Sequence, residues 1–190
     1  MIPLPLSTAR LTLELPDPSN TEDLAAHLAF VSLGQVARML ARVPHPYPQG
    51  ELPRRYSLWR RAYEQDEDDL VFIVREQASG RLVGSCGFSL EQNRRRLEPG
   101  YVFAPEVWGR GYATEALAAL LAAGLRAYPS VEQVEAPHFA DNPASGRVME
   151  KVGLRFDRDE IHACIARAAG EAPAKVFVLP DDSPLWALRG

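Results

Sequence analysis

Between residues 100 and 116 the chain reads Gly-Tyr-Val-Phe-Ala-Pro-Glu-Val-Trp-Gly-Arg-Gly-Tyr-Ala-Thr-Glu-Ala. An apolar strand-like run ends, Gly109 and Gly111 flank Arg110, and a helix-forming run starts at once. Glycine opens backbone conformations closed to other residues and lets a ligand approach the main chain. Successive N–H groups in such a turn form a concave anion site, and the start of the following helix adds its positive dipole end. Arg110 sets a cation on the rim. The chemistry implied is capture of a phosphate or pyrophosphate; the plain alternative is a glycine turn capped by Thr114. Two standard phosphate loops are excluded. The P-loop needs Lys and then Ser/Thr after its last glycine, where Gly111 is followed by Tyr112 and Ala113. The dinucleotide fingerprint needs a third glycine where this chain has Thr114, and an early strand where three strands come first.

Other reactive side chains read as structural. Cys86 and Cys164 fit no metal or disulfide spacing and read as small buried thiols in a reduced setting. Arg94, Arg95 and Arg96 sit in a turn and read as a solvated face. Tyr56, Trp59 and Tyr63 fall on one helical face and read as core rather than as a substrate cage.

Positioning these groups takes a sheet with helices laid on it. Residues 10–15 alternate polar and apolar, the period of a half-buried strand, and Pro16 and Pro18 end it. Ser19, Asn20 and Thr21 offer caps for a helix whose apolar stripe is Leu24, Leu28 and Val31, with a break near Gly34. Residues 44–50 form a loop, because three prolines remove donors and fix φ, and a second helix fits residues 52–65. Strands follow at 70–74, 81–90 and 97–103, the last carrying Pro99 and Gly100, which predict a bulge or a lost ladder bond there. Residues 114–128 form a helix, 131–139 a strand, 143–152 a short helix, 154–162 a strand, 168–174 a loop and 175–179 a last strand. With no repeat or linker, residues 1–190 read as a single domain of the α/β (α+β) class.

Composition agrees. A chain of 190 residues is a prior for one domain at roughly 100–200 residues each. With 46% hydrophobic residues it is too apolar to stay disordered. The longest apolar run, residues 116–125, falls short of the ~20 residues that span a bilayer. Residues 1–6 lack the basic start and apolar stretch of a signal peptide, so a soluble cytoplasmic protein without a membrane partner is expected. A net charge of -4 argues against nucleic acid as a partner.

The segment Trp108-Gly109-Arg110-Gly111-Tyr112-Ala113-Thr114-Glu115-Ala116 resembles the acetyl-CoA-binding segment of the GNAT superfamily of N-acetyltransferases, most of all its RimJ/RimL-type branch. Residues 6–13 resemble the branch's opening strand, and residues 141–154 its N-x-x-S…EKxGF segment, in the same order along the chain. The resemblance implies the GNAT fold: a mixed, mostly antiparallel sheet of about seven strands, splayed in the middle and flanked by about four helices. It implies acetyl-CoA as donor and a primary amine as acceptor, either a protein N-terminus or a small molecule, in a monomer or homodimer with no metal. The non-enzymatic alternative is an acyl-CoA-binding module or sensor.

The same resemblance assigns roles to residues. Backbone amides from Gly109 through Arg110, Gly111, Tyr112 and Ala113 to Thr114 would hold the pyrophosphate, with Trp108 and Tyr112 packed around the loop. The strand ending at Val102 and Phe103 would part from strand 131–139 and admit the pantetheine arm, with a backbone N–H near the bulge polarising the thioester carbonyl. Asn142 would contact that arm and also cap the helix that starts at Pro143. Glu98 is the candidate general base; its alternative is a solvated residue paired with Arg94, Arg95 or Arg96. His138 and Asp141, at the end of the neighbouring strand, are substitutes for it. Met149 stands where many members keep an acidic tyrosine, so Ser145 is the hydroxyl offered to the departing thiolate. Acceptor choice would rest on residues 43–58, with His45 and Tyr47, and on residues 157–175, where Arg158-Asp159-Glu160 offers carboxylates to a cationic amine.

Overall fold

The computed structural model describes residues 1–189. Eight strands lie in one sheet: β1 (Leu6–Ser7), β2 (Leu11–Glu14), β3 (Asp69–Glu76), β4 (Leu82–Glu91), β5 (Arg96–Phe103), β6 (Gln133–Phe139), β7 (Arg155–Ala163) and β8 (Glu171–Val178), in spatial order β1-β2-β3-β4-β5-β6-β8-β7. The helices are α1 (Thr21–Val31), α2 (Gly34–Ala37), α3 (Glu51–Glu64), α4 (Tyr112–Ala127) and α5 (Pro143–Lys151), with 3₁₀ turns at Pro105–Val107 and Pro184–Arg189. This is the GNAT fold, mixed and mostly antiparallel. It has one strand and one helix more than expected, because the two-residue β1 and the four-residue α2 are too short to leave a periodic pattern.

Every neighbouring pair of strands is antiparallel except β5 and β6, which run parallel and share only two rungs, Arg96↔Gln133 and Leu97↔Val134. Pro99 stands two residues beyond the last rung and has no N–H to offer a partner. From there the sheet divides, and β6 continues with β8. Of the two outcomes expected at Pro99 and Gly100, the bulge is absent and the ladder is lost, pairing with β6 stopping at Leu97. The β4–β5 ladder runs in unbroken register from Glu91↔Arg96 to Gly84↔Phe103, so the gap arises from the end of pairing and not from an inserted residue. Buried Glu135 pins the root of the gap, accepting from Arg96 Nη1 (3.2 Å) on β5 and Arg158 Nη2 (2.7 Å) on β7.

The core lies between sheet and helices. α4 buries Leu117, Leu120, Leu121 and Leu125 completely, and Gly124 lets it approach the sheet: a Cβ there would stand 3.1 Å from Leu97 Cδ1. On the other side, α3 buries Leu52, Tyr56 and Ala62, with Trp59 and Tyr63 partly covered. α1 keeps part of its expected stripe, with Val31 buried and Leu24 packed against the core. Leu28 is 41% exposed, and the inward face carries Asp23, His27, Phe30 and Val31. Asp23 turns inward because Arg75 of β3 meets it with two donors, and His27 because its Nδ1 is 2.9 Å from the Tyr56 hydroxyl. Asn20 caps α1, accepting from Asp23 N–H at 3.1 Å. The expected loop at 168–174 gives way to β8, which starts at Glu171. Its alternation Ala172, Ala174, Val176 buries small residues that a search for large apolar ones passes over. Among the described residues no helix is long and apolar enough to cross a membrane.

Candidate active site

Gly109 (φ +77°) and Gly111 (φ +80°) both take the left-handed conformation that side chains resist. Gly111 is the residue that caps α4, without a side-chain bond, so Thr114 is not the cap but the third helical residue. The first bond of the helix runs from Glu115 N–H to the Gly111 carbonyl at 3.0 Å. That leaves the N–H groups of Tyr112, Ala113 and Thr114 for an outside acceptor at the positive end of the helix. Trp108 closes the turn, its indole Nε1 donating to the Phe103 carbonyl at 2.8 Å while the ring stays 53% exposed. Arg110 is not part of the concavity: its Nη1 lies 3.8 Å from Glu76.

This loop is held from far away in sequence. Glu115 accepts from Thr8 Oγ1 (2.6 Å), Arg10 N–H (2.7 Å) and Arg10 Nε (2.7 Å). Burial opposes ionisation of Glu115, yet these bonds hold its carboxyl below the ordinary range. Arg10 Nη1 also donates to the Arg110 carbonyl at 2.9 Å, and its guanidinium lies over the Tyr112 ring. The opening strand segment and the glycine loop, two separate motifs in the sequence, are therefore one assembly.

A cleft of about 620 Å³ starts at Gly109 and Thr114, passes Val102 and Phe103 into the gap between β5 and β6, and ends against α1 and α3. Asn142, Ser145 and His138 face it from the β6–α5 side. Asn142 also caps α5, its side chain accepting from Ser145 N–H at 3.4 Å. On β5, Glu98, Gly100 and Val102 share one face and stand opposite Ser89, Gly87 and Ser85 of β4. This is the α1–α3 face, for Ser85 Oγ lies 3.4 Å from His27 Nε2. A Cβ on Gly100 would meet nothing within 4 Å, so the cleft is open above it.

Glu98 sits where the two halves of the cleft meet, its side chain 24% exposed. Burial, with repulsion from Glu91, pushes its carboxyl above the usual range, the direction that suits a base working near neutrality. Its ion-pair partner is Arg42, at 3.7 Å; of the arginine run only Arg96 acts on it, as a more distant charge that favours ionisation. Arg94 pairs with Asp66 and Asp68, Arg95 with Glu132, and Arg96 with Glu91 and Glu135. Asp141 is a poor base: hydrogen bonds from Arg167 and Arg38 outweigh its burial and hold its carboxyl at about 2. His138 is 8% exposed; its Nδ1 meets the Phe139 carbonyl at 2.8 Å, and its buried Nε2 has no partner among the described residues. Cys86 borders the cleft, but burial raises its thiol to about 12, so it is no nucleophile.

Tyr101 is absent from the sequence reading. It sits on the face of β5 opposite Glu98, and its hydroxyl lies 2.6 Å from Ser145 Oγ across the gap. Burial raises the phenol to about 12, so it stays protonated and can donate to Ser145, freeing the serine proton for another acceptor. Its one sequence signal was its place between Gly100 and Val102 in a chain with Met149 at the tyrosine position. Trp59, read as core, is also a wall of the cleft, with Val43 and Tyr47 beside it. His45 packs instead against Gly34. The Asp159 and Glu160 carboxylates already hold cations, Lys175 for the first and Arg158 for the second, and Glu160 also meets His162 Nε2.

The family described as acetyltransferase (GNAT) domain matches residues 10–155, and the chain belongs to it. The uncharacterized protein YkkB of Bacillus subtilis is 32% identical over 109 residues, which is 55% of this chain. The chain spans only 62% of the length of that relative. An acetyltransferase of the GNAT family from Bacillus anthracis superposes with a TM-score of 0.76 at 21% identity, covering 94% of this chain and 99% of that one. A Salmonella typhimurium acetyltransferase described as modifying the N-terminal serine of ribosomal protein L7/L12 gives 0.75 at 16% identity, covering 92% and 97%. At such identities the two structures speak for the fold alone.

Proposed function

We propose that the protein is an N-acetyltransferase of RimJ/RimL type that moves the acetyl group of acetyl-CoA to a primary amine. The carrying observation is the continuity of one cleft from the open amides at the start of α4 to the destabilised carboxylate of Glu98. The residues fit the donor: a pyrophosphate matches the amides of Gly109, Gly111, Tyr112, Ala113 and Thr114, and a slender arm matches the gap bordered by Val102, Phe103, Asn142 and Ser145. Acetyl-CoA supplies, when bound, an acetyl group activated as a thioester.

Glu98 takes the proton from the incoming ammonium, leaving a neutral amine. Ser145 Oγ–H, held by Tyr101, donates a hydrogen bond to the departing thiolate. Asn142 orders the first turn of α5, which carries that serine. Buried His138 supports the same turn: a Cβ on Gly146 would stand 2.9 Å from its Nε2. On this reading the end of β5 at Val102 and Phe103 serves the donor, and the stretch at Glu98 and Gly100 that faces α1 and α3 serves the acceptor.

Two measurements test the reading. Millimolar acetyl-CoA raises the melting temperature, because it binds the folded state alone, and CoA thiol is released when amines are added. No shift removes the donor assignment. A shift with thiol silence toward every amine leaves an acyl-CoA-binding module.

A further inference from the structure

The acceptor half of the cleft has a floor, a lid and four charged side chains, Glu98, Arg42, Arg55 and Asp69, of which the first two pair with each other. Its floor is the short-chain face of Ser85, Gly87, Ser89 and Gly100. Its lid is Val31 of α1 with Leu52 and Trp59 of α3, an apolar patch beside His27 and Arg55 of the same helices. The charged pair is Glu98 with Arg42, whose Nη2 lies 3.7 Å from Glu98 Oε1 and 3.5 Å from Ser89 Oγ. A separation of 3.7 Å is an ion pair without a hydrogen bond, and among the described residues no side chain donates one to Glu98. Arg42 is 65% exposed, which leaves its remaining donors open. Glu91, which repels charge on Glu98, is itself tied to Arg96.

We propose that the acceptor is a free α-amino acid with an apolar or aromatic side chain. Such a molecule carries its ammonium and its carboxylate on one carbon, and the side-by-side carboxylate of Glu98 and guanidinium of Arg42 present the complementary charges at matching spacing. The guanidinium takes the carboxylate in its planar fork, which turns the amine toward Glu98. The side chain enters the space under Val31, Leu52 and Trp59, where its burial adds affinity. A polyamine has Asp69, on the same face as Ser89 and Glu98, for its second cation, but it leaves Arg42 without an anion. A peptide N-terminus places an amide where Arg42 expects an anion.

The inference rests on the acetyltransferase reading, and thiol release from acetyl-CoA by the full chain separates the two. Leucine and phenylalanine are compared with leucinamide and phenylalaninamide, with a peptide beginning in leucine, and with spermidine. Losing a hydrogen-bonded charge costs about tenfold or more, so each free acid is expected to exceed its amide by at least that factor in kcat/KM. In Arg42→Gln the acid-to-amide ratio falls toward one; Arg42 is mostly exposed, so the variant folds. Amides, peptide or spermidine turned over as well as the free acids, or an unchanged ratio in Arg42→Gln, overturns the inference and leaves the acetyltransferase reading in place. Silence toward every amine overturns the reading beneath it.

Discussion

The two ends of the cleft are built in different ways. The end at α4 is made of main chain: two left-handed glycines, three open amides and a helix start, all within residues 109–114. The end at α1 and α3 is made of side chains gathered from separate parts of the chain, among them His27, Arg42, Trp59, Ser85 and Glu98. Backbone recognition needs consecutive residues, so it leaves a spaced motif. Side-chain recognition needs only proximity, and proximity leaves no trace in order. A family can therefore keep one donor site in plain view while each member changes its acceptor unseen.

The largest test of that contrast is Gly111→Glu, which forces a side chain into a left-handed position and sets a negative charge in the anion site. It should abolish the thermal shift given by acetyl-CoA; a retained shift, read by differential scanning fluorimetry, would move the phosphates elsewhere. Next in size is Glu98→Gln at the junction of the two ends. Loss of a general base should lower kcat about 10²-fold or more and remove the acidic limb of the pH–rate profile, which for a raised carboxyl lies above the ordinary Glu range. An unchanged profile excludes Glu98.

A smaller effect is expected from Glu115→Ala, which touches no ligand but unties the loop from Thr8 and Arg10. Its KM for acetyl-CoA should rise about tenfold, equivalent to about 1.4 kcal/mol, with the KM for the amine little changed. Equal changes in both constants would mean that the two ends are not separate devices. The last test reads stability and not turnover, at the acceptor end alone. Burial lowers the His27 imidazole to about 3, so the folded state binds its proton more weakly than the unfolded chain does. Its contribution to stability is complete above about pH 6.5, the unfolded value, and is lost as pH falls toward 3. His27→Gln should flatten the fall in melting temperature below pH 6.5, and a parallel fall in both proteins would clear His27 of the effect.

Legibility followed the same division. The order of strands and long helices was readable because residues such as Leu117, Leu120 and Leu121 repeat at the helical period and 70–74 is a continuous apolar run. α1 was placed, and Leu24 and Val31 face the core as expected, but Leu28 does not, since the inward face also holds Asp23 and His27, whose partners Arg75 and Tyr56 lie about fifty and thirty residues away. At the site, Ser145 was a candidate through an ordered motif and Glu98 through its place on the strand that enters the glycine loop. Tyr101 was not, because its meaning depends on a serine 44 residues later in the chain, and Arg42 was not, because a lone exposed arginine in a loop resembles any other.

The clamp from Thr8 and Arg10 to Glu115 also bears on how the chain folds. Its hydrogen bonds join residues 105 and 107 positions apart, so the glycine loop acquires its final shape only when a very long segment has closed. Contacts of such separation carry a large loop-closure entropy and are reached late, after the α4 helix and the β3–β4–β5 meander have formed from nearer pairings. Competence to hold an anion is on this account one of the last properties the protein acquires as it folds, and among the first to go when residues 8–10 come loose.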